Sequence, residues 1–130
     1  MARPASRYPT ELELEILKVI WRSGPAPVRD VRDALRAFRK LAYTSVMTIM
    51  NIMVAKGYLA RRKVGHCFVY RPRVSEKVNA RHMLGDLVRR VFDGSAAAVM
   101  VNLLESADLN GAEVARLREL LRRQSSRTGQ

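Results

Sequence analysis

The chain of 130 residues has a single cysteine, Cys67, so no intramolecular disulfide and no cysteine-cluster metal site can form. No window approaches about 18 consecutive apolar residues, which excludes a helical membrane span. The N-terminus carries two arginines and then charged and polar residues where an apolar signal core would stand, which argues against export. A reducing, cytoplasmic setting follows as the expectation. Also missing are a Gly-rich phosphate loop, an HExxH pair and a nucleophile elbow. His66 and His82 lie far apart, and on a strand His66 and Cys67 would point to opposite faces, a poor metal arrangement. Cys67 reads as a small, buried strand side chain. Asp30 and Asp33 alternate with arginines on a helix surface, which fits solvent-exposed ion pairs better than a catalytic carboxylate pair. Neither an enzyme nor a metal or cofactor site is expected. Aromatic residues make up 6% of the chain and mostly fall in strand or core positions, which disfavours a base-stacking platform for single strands.

Positive charge is abundant. Lys and Arg number 24 against 12 Asp and Glu, a net charge of +12, which suggests a polyanionic partner. Residues 1–74 hold 15 bases and 5 acids, whereas residues 75–130 hold 9 bases and 7 acids. From Ala34 to Ser75 there are nine bases and no acid. A merely solvated surface mixes signs, so this block points to nucleic acid.

Residues 1–8, with Pro4 and two arginines, read as a flexible arm, as do residues 125–130 at the polar C-terminal end. Thr10 and Glu13 form a capping box that opens a helix from Glu11 to about Arg22. Its charged residues Glu11, Glu15, Lys18 and Arg22 make one narrow stripe, so the helix is buried on most sides. Gly24-Pro25-Ala26-Pro27 stops it in an extended turn. Val28, Val31, Leu35 and Phe38 have the spacing of a second helix, from Val28 to about Phe38. A third helix fits Ala42 to Lys56 and ends at Gly57. With Val46, Ile49, Met50 and Met53 facing the core, Thr44, Thr48, Asn51 and Ala55 face outward, with Ser45 and Ile52 at the edge. Tyr58–Lys63 and His66–Arg71 read as a β-hairpin joined around Val64-Gly65, with Arg61, Arg62, Lys63 and His66 at its tip and Pro72 ending the ladder. Only helices follow. One is capped by Ser75 and runs to about Asp93, a second runs from Ser95 to about Glu105, and a third is opened by a capping box of Asn110 and Glu113.

The chain is therefore expected to be mainly α with a small β-hairpin. Residues 9–74 would form a winged helix-turn-helix DNA-binding domain and residues 75–124 a helical dimerisation domain. In winged-helix order the third helix enters the major groove and the hairpin flanks it. Thr44, Ser45, Thr48 and Asn51 are the candidate base readers, and Lys40, Arg61, Arg62 and Lys63 the candidate phosphate contacts. The last 56 residues are too few to bury three amphipathic helices by themselves. Leu84, Leu87, Val91, Leu103, Leu117, Leu120 and Leu121 are accordingly assigned to a dimer interface, and a two-fold dimer would match a palindromic duplex site. Two alternatives are a winged-helix adaptor that binds protein and a nonspecific nucleic-acid-binding protein.

Several segments also carry a family resemblance: Thr10–Leu17 with Trp21, Val28-Arg29-Asp30-Val31, Leu41–Thr48, Asn51, Lys56-Gly57, and Phe68–Pro72. In this order and spacing the chain resembles the penicillinase repressor family, the BlaI/MecI type of winged-helix regulators, over about residues 9–123. The resemblance implies a homodimeric repressor of a double-stranded DNA operator, with the positions of Thr44, Ser45 and Thr48 facing the DNA. It also implies release by proteolysis downstream of a membrane metalloprotease sensor that responds to β-lactams. The matching bond would be Asn102–Leu103. Ile52 stands where a basic residue is common in the family. The cysteine-rich tail of copper-responsive relatives is absent here, so copper sensing is not expected.

Overall fold

The computed structural model describes residues 8–128. Most of the expected N-terminal arm (residues 1–7) and the last two residues lie outside that range. The described residues divide into two compact units, one ending at Leu84 and the other beginning at Gly85.

In the first unit, helix α1 spans Glu11–Ser23. Both halves of its capping box form: Thr10 Oγ1 accepts from the Glu13 backbone N–H at 3.2 Å, and Glu13 Oε1 accepts from the Thr10 N–H at 2.8 Å. Glu13 is nevertheless only 3% exposed. Its carboxylate also receives Lys56 Nζ, at 2.9 Å on Oε2 and 3.2 Å on Oε1. The phenol of Tyr58, two residues beyond Lys56, is pushed above its usual 10.0, first by burial and then by the Glu13 charge, with Lys56 opposing.

Helix α2 covers Val28–Leu35, shorter than the periodicity suggests. Residues 36–38 form a turn in which Phe38 and Arg39 both donate to the Leu35 carbonyl, at 2.9 and 2.7 Å. Phe38 is therefore exposed and is not a core residue. The chain has only a few residues in which to reverse into α3 (Tyr43–Lys56), so the turn tightens and cuts the helix short. At the other end of α3, Gly57 takes φ 87° and ψ 11°, a left-handed cap, and its N–H reaches the carbonyls of Met53 and Val54.

Strands β1 (Leu59–Val64) and β2 (Cys67–Pro72) pair antiparallel, in register from Leu59↔Pro72 to Val64↔Cys67. The turn is Gly65-His66, one residue beyond the expected position. Gly65 has φ 62°, the positive value needed at the first central position of a type II′ hairpin turn. His66 is thus a turn residue. Cys67 is exposed at the strand's start and not buried, because the ladder places it beside the tip, away from the core.

Ala26, expected only as part of an extended turn, pairs with Tyr70 through two backbone hydrogen bonds of 3.0 and 2.9 Å and so extends the sheet by one bridge. The core joins all these elements: Ile16, Leu17 and Ile20 of α1, Val31 and Leu35 of α2, Val46, Met50 and Met53 of α3, and Leu59 and Tyr70 of the hairpin. Trp21 Nε1 donates to the Val74 carbonyl at 2.9 Å and ties the chain leaving the hairpin to α1.

Helix α4 spans Glu76–Val91, α5 Ala96–Ser106 and α6 Gly111–Thr128. Ser75 and Ser95 cap the first two, and Asn110 with Glu113 forms a reciprocal capping box on the third. Helix α6 runs four residues past Gln124, where the sequence turns polar, and Glu119 pairs with Arg122 and Arg123 within it. Among the described residues no helix is long and apolar enough to cross a membrane.

Candidate nucleic-acid interface

Helix α3 has one buried side and one bare side. Val46, Met50 and Met53 are fully buried, whereas Thr44, Ser45, Met47, Thr48 and Ile52 are exposed. Short side chains at 44, 45 and 48 let the helix axis come close to another surface. Thr48 Oγ1 donates to the Thr44 carbonyl at 2.9 Å. Its single hydroxyl proton is thereby used, and the oxygen is left as an acceptor with the methyl group beside it.

Asn51 differs from these three. It is half-buried, and its Oδ1 accepts two hydrogen bonds, from the Tyr70 hydroxyl at 2.7 Å and from Arg61 Nη1 at 2.9 Å. The Arg61 guanidinium also lies over the Phe68 ring, 4.2 Å from its centroid. Tyr70, almost completely buried, fixes the far end of this chain of contacts. The pairs Arg61↔Tyr70 and Lys63↔Phe68 place these four side chains on one face of the hairpin. The pairs Arg62↔Val69 and Ala60↔Arg71 place Arg62 and Arg71 on the other. Phe68 and Tyr70 were missed as site residues. The sequence signal for them was the alternation that puts them opposite Lys63 and Arg61.

Between the start of α2, helix α3 and the hairpin lies a cleft of about 740 Å³, lined by Arg29, Tyr43, Met47, Asn51, Arg61 and Phe68 among others. The helix and the hairpin therefore flank one concave surface. Of the nine bases between Ala34 and Ser75, Lys56 is committed to Glu13 and Arg36 reaches Asp33 at 3.5 Å. Arg39, Lys40, Arg62, Lys63, Arg71 and Arg73 are exposed and have no acidic partner among the described residues. Lys40 sits in the short segment between the turn after α2 and the start of α3, while Arg62 and Lys63 sit on β1. Arg39, Arg71 and Arg73 join this set although periodicity gave no reason to single them out.

The assigned interface residues come later in the chain. Leu84 closes the first unit, and Leu87, Val91, Leu103, Leu117, Leu120 and Leu121 belong to the second. All seven are exposed, from 38% for Leu117 to 62% for Val91. Asn102 and Leu103 are exposed in the middle of α5, where Asn102 Nδ2 donates to the Ala98 carbonyl at 2.9 Å. Among the described residues no group of His, Cys, Asp and Glu side chains is arranged to hold a metal ion.

The penicillinase repressor of Bacillus licheniformis is 26% identical over 118 residues, covering 91% of this chain and 92% of that protein. Transcriptional regulator BlaI of Mycobacterium tuberculosis is 30% identical over 108 residues, covering 82% of this chain and 78% of that protein. A solved structure of the Bacillus licheniformis BlaI monomeric form in complex with the blaP half-operator is 26% identical. It covers 58% of this chain and 87% of that one, with a TM-score of 0.44. The penicillinase repressor family model matches residues 9–123, and this chain belongs to that family, one of transcriptional repressors and not of enzymes.

Proposed function

We propose that the protein is a dimeric, sequence-specific repressor that binds a palindromic operator in double-stranded DNA, with α3 in the major groove and the hairpin against the flanking backbone. The observation that carries this reading is the set of six exposed cations, without an acidic partner among the described residues, around a helix face of short polar side chains. Cations without acidic partners are free to displace counterions from phosphates, which supplies affinity and a steep salt dependence. The short face supplies the close approach that base reading needs. Thr48, with its proton turned inward, offers an acceptor to the amino group of adenine or cytosine and a methyl to thymine. Thr44 and Ser45 share that role.

The exposed leucines of α4, α5 and α6 support dimerisation, since a second copy of the chain would cover them. Release by proteolysis at Asn102–Leu103, downstream of a membrane metalloprotease sensor, fits the exposure of both residues. The bond lies inside α5, so a protease must first unwind a turn.

Titration of operator and scrambled duplexes over a range of salt concentrations tests the division of labour. Arg62→Ala weakens binding to both alike and lowers the salt slope by about one unit. Thr48→Val changes the preference between duplexes and leaves the slope alone. Identical behaviour of the two variants would refute the assignment, and a wild-type chain retained by no duplex would favour a protein-binding adaptor.

A further inference from the structure

Arg61 is held differently from the other hairpin cations. A phosphate contact needs only a positive charge on a mobile stem, which Arg62 and Lys63 provide. The Arg61 guanidinium is held by the hydrogen bond to Asn51 on one side and by the Phe68 ring, 4.2 Å away at its centroid, on another, and Asn51 is in turn anchored by the Tyr70 hydroxyl. One N–H is used on Asn51, and the remaining donors of the fork stay available beside the exposed face of α3. A fixed, planar pair of donors suits a fixed pair of acceptors, and the major-groove edge of guanine presents O6 and N7 in that arrangement.

We propose that Arg61 is a specificity-determining residue that reads a guanine in the operator, with Asn51 and Tyr70 as positioning residues that do not touch DNA. This assignment rests on the DNA-binding reading above and goes beyond it, because it separates Arg61 from the phosphate contacts and Asn51 from the base readers.

The test uses the full chain and a duplex enriched by wild-type protein from a random-sequence double-stranded library, compared with its scramble. Arg61→Lys lowers the affinity ratio of enriched over scrambled duplex by about tenfold. Its salt slope stays unchanged because the charge is kept. Asn51→Ala produces the same loss without any change in charge, and the double variant is no worse than either single one. Asn51→Asp, which keeps the acceptor, holds the ratio near the wild-type value while weakening binding to both duplexes. Replacing guanines of the enriched duplex one at a time by 7-deazaguanine, which lacks N7, costs the wild type at one position in each half-site and costs Arg61→Lys nothing there. If Asn51→Ala fails to fold, Arg61→Lys decides alone, since its side chain is at the surface. An unchanged ratio in Arg61→Lys, or losses that multiply in the double variant, would overturn the assignment and leave DNA binding standing. A wild-type chain that enriches no duplex would overturn both.

Discussion

Glu13 does two jobs with one carboxylate, closing the α1 capping box and neutralising Lys56. The first was visible in the sequence because a capping box spans four residues. The second joins positions 43 apart, and no local pattern announces it. Lys56→Met would leave a buried carboxylate without its cation. About 2 kcal/mol of stability should be lost, toward the lower end for a charge-bearing hydrogen bond because the Lys56 side chain is 27% exposed. Urea denaturation measures this loss, and adding Glu13→Gln should recover part of it. The same change removes the one influence that lowers the Tyr58 pKa, so the phenol should ionise at still higher pH in an ultraviolet titration. The sign follows from the raised pKa of the folded chain. The Tyr58 contribution to stability is complete below 10.0, the unfolded value, and is lost as pH rises through the folded one.

Among the elements, α3 and the hairpin are joined by one left-handed residue, and the direction of the wing depends on it. Gly57→Ala meets no steric obstacle, with nothing within 4 Å of the added carbon. Its cost is therefore backbone strain alone, about 1 kcal/mol. A lower denaturation midpoint with an unchanged slope is the expected result, and no shift would mean that the cap is not strained by a side chain. The two faces of α3 could be read from the sequence because a period of 3.6 residues sorts side chains by itself. The end of α2 could not. Phe38 has the right spacing for the core, yet the short path to α3 breaks the helix before it. Ala26 likewise gave no strand signal, because a single bridge to Tyr70 depends on the hairpin already being in place.

At the scale of the whole molecule, charge and exposed apolar surface lie in different parts of the chain: six exposed cations without an acidic partner among the described residues in 34–75, bare leucines from Leu84 onward. If the second set holds two copies together, a chain ending at Asn102 keeps its affinity for a half-site within about twofold. On a full palindrome it loses the linkage between half-sites, a drop of about 10²–10⁴ in apparent affinity. Equal binding of fragment and full chain to the full site, measured by fluorescence anisotropy, would remove the release mechanism.

The order of helices and strands, the acid-free basic block and the polar face of α3 were determined by the sequence alone. Each depends on neighbours within a turn or a hairpin, where spacing dictates geometry. The commitment of Lys56 to Glu13, the exposure of Phe38 and Cys67, and the locking of Arg61 by Asn51, Phe68 and Tyr70 were decided only in the folded chain. The two exposures follow from where the turn after α2 and the tip of the hairpin fall, whereas the ion pair and the locking of Arg61 require separate elements to meet, and the packing of α1, α3 and the hairpin around one core selects which side chains do so.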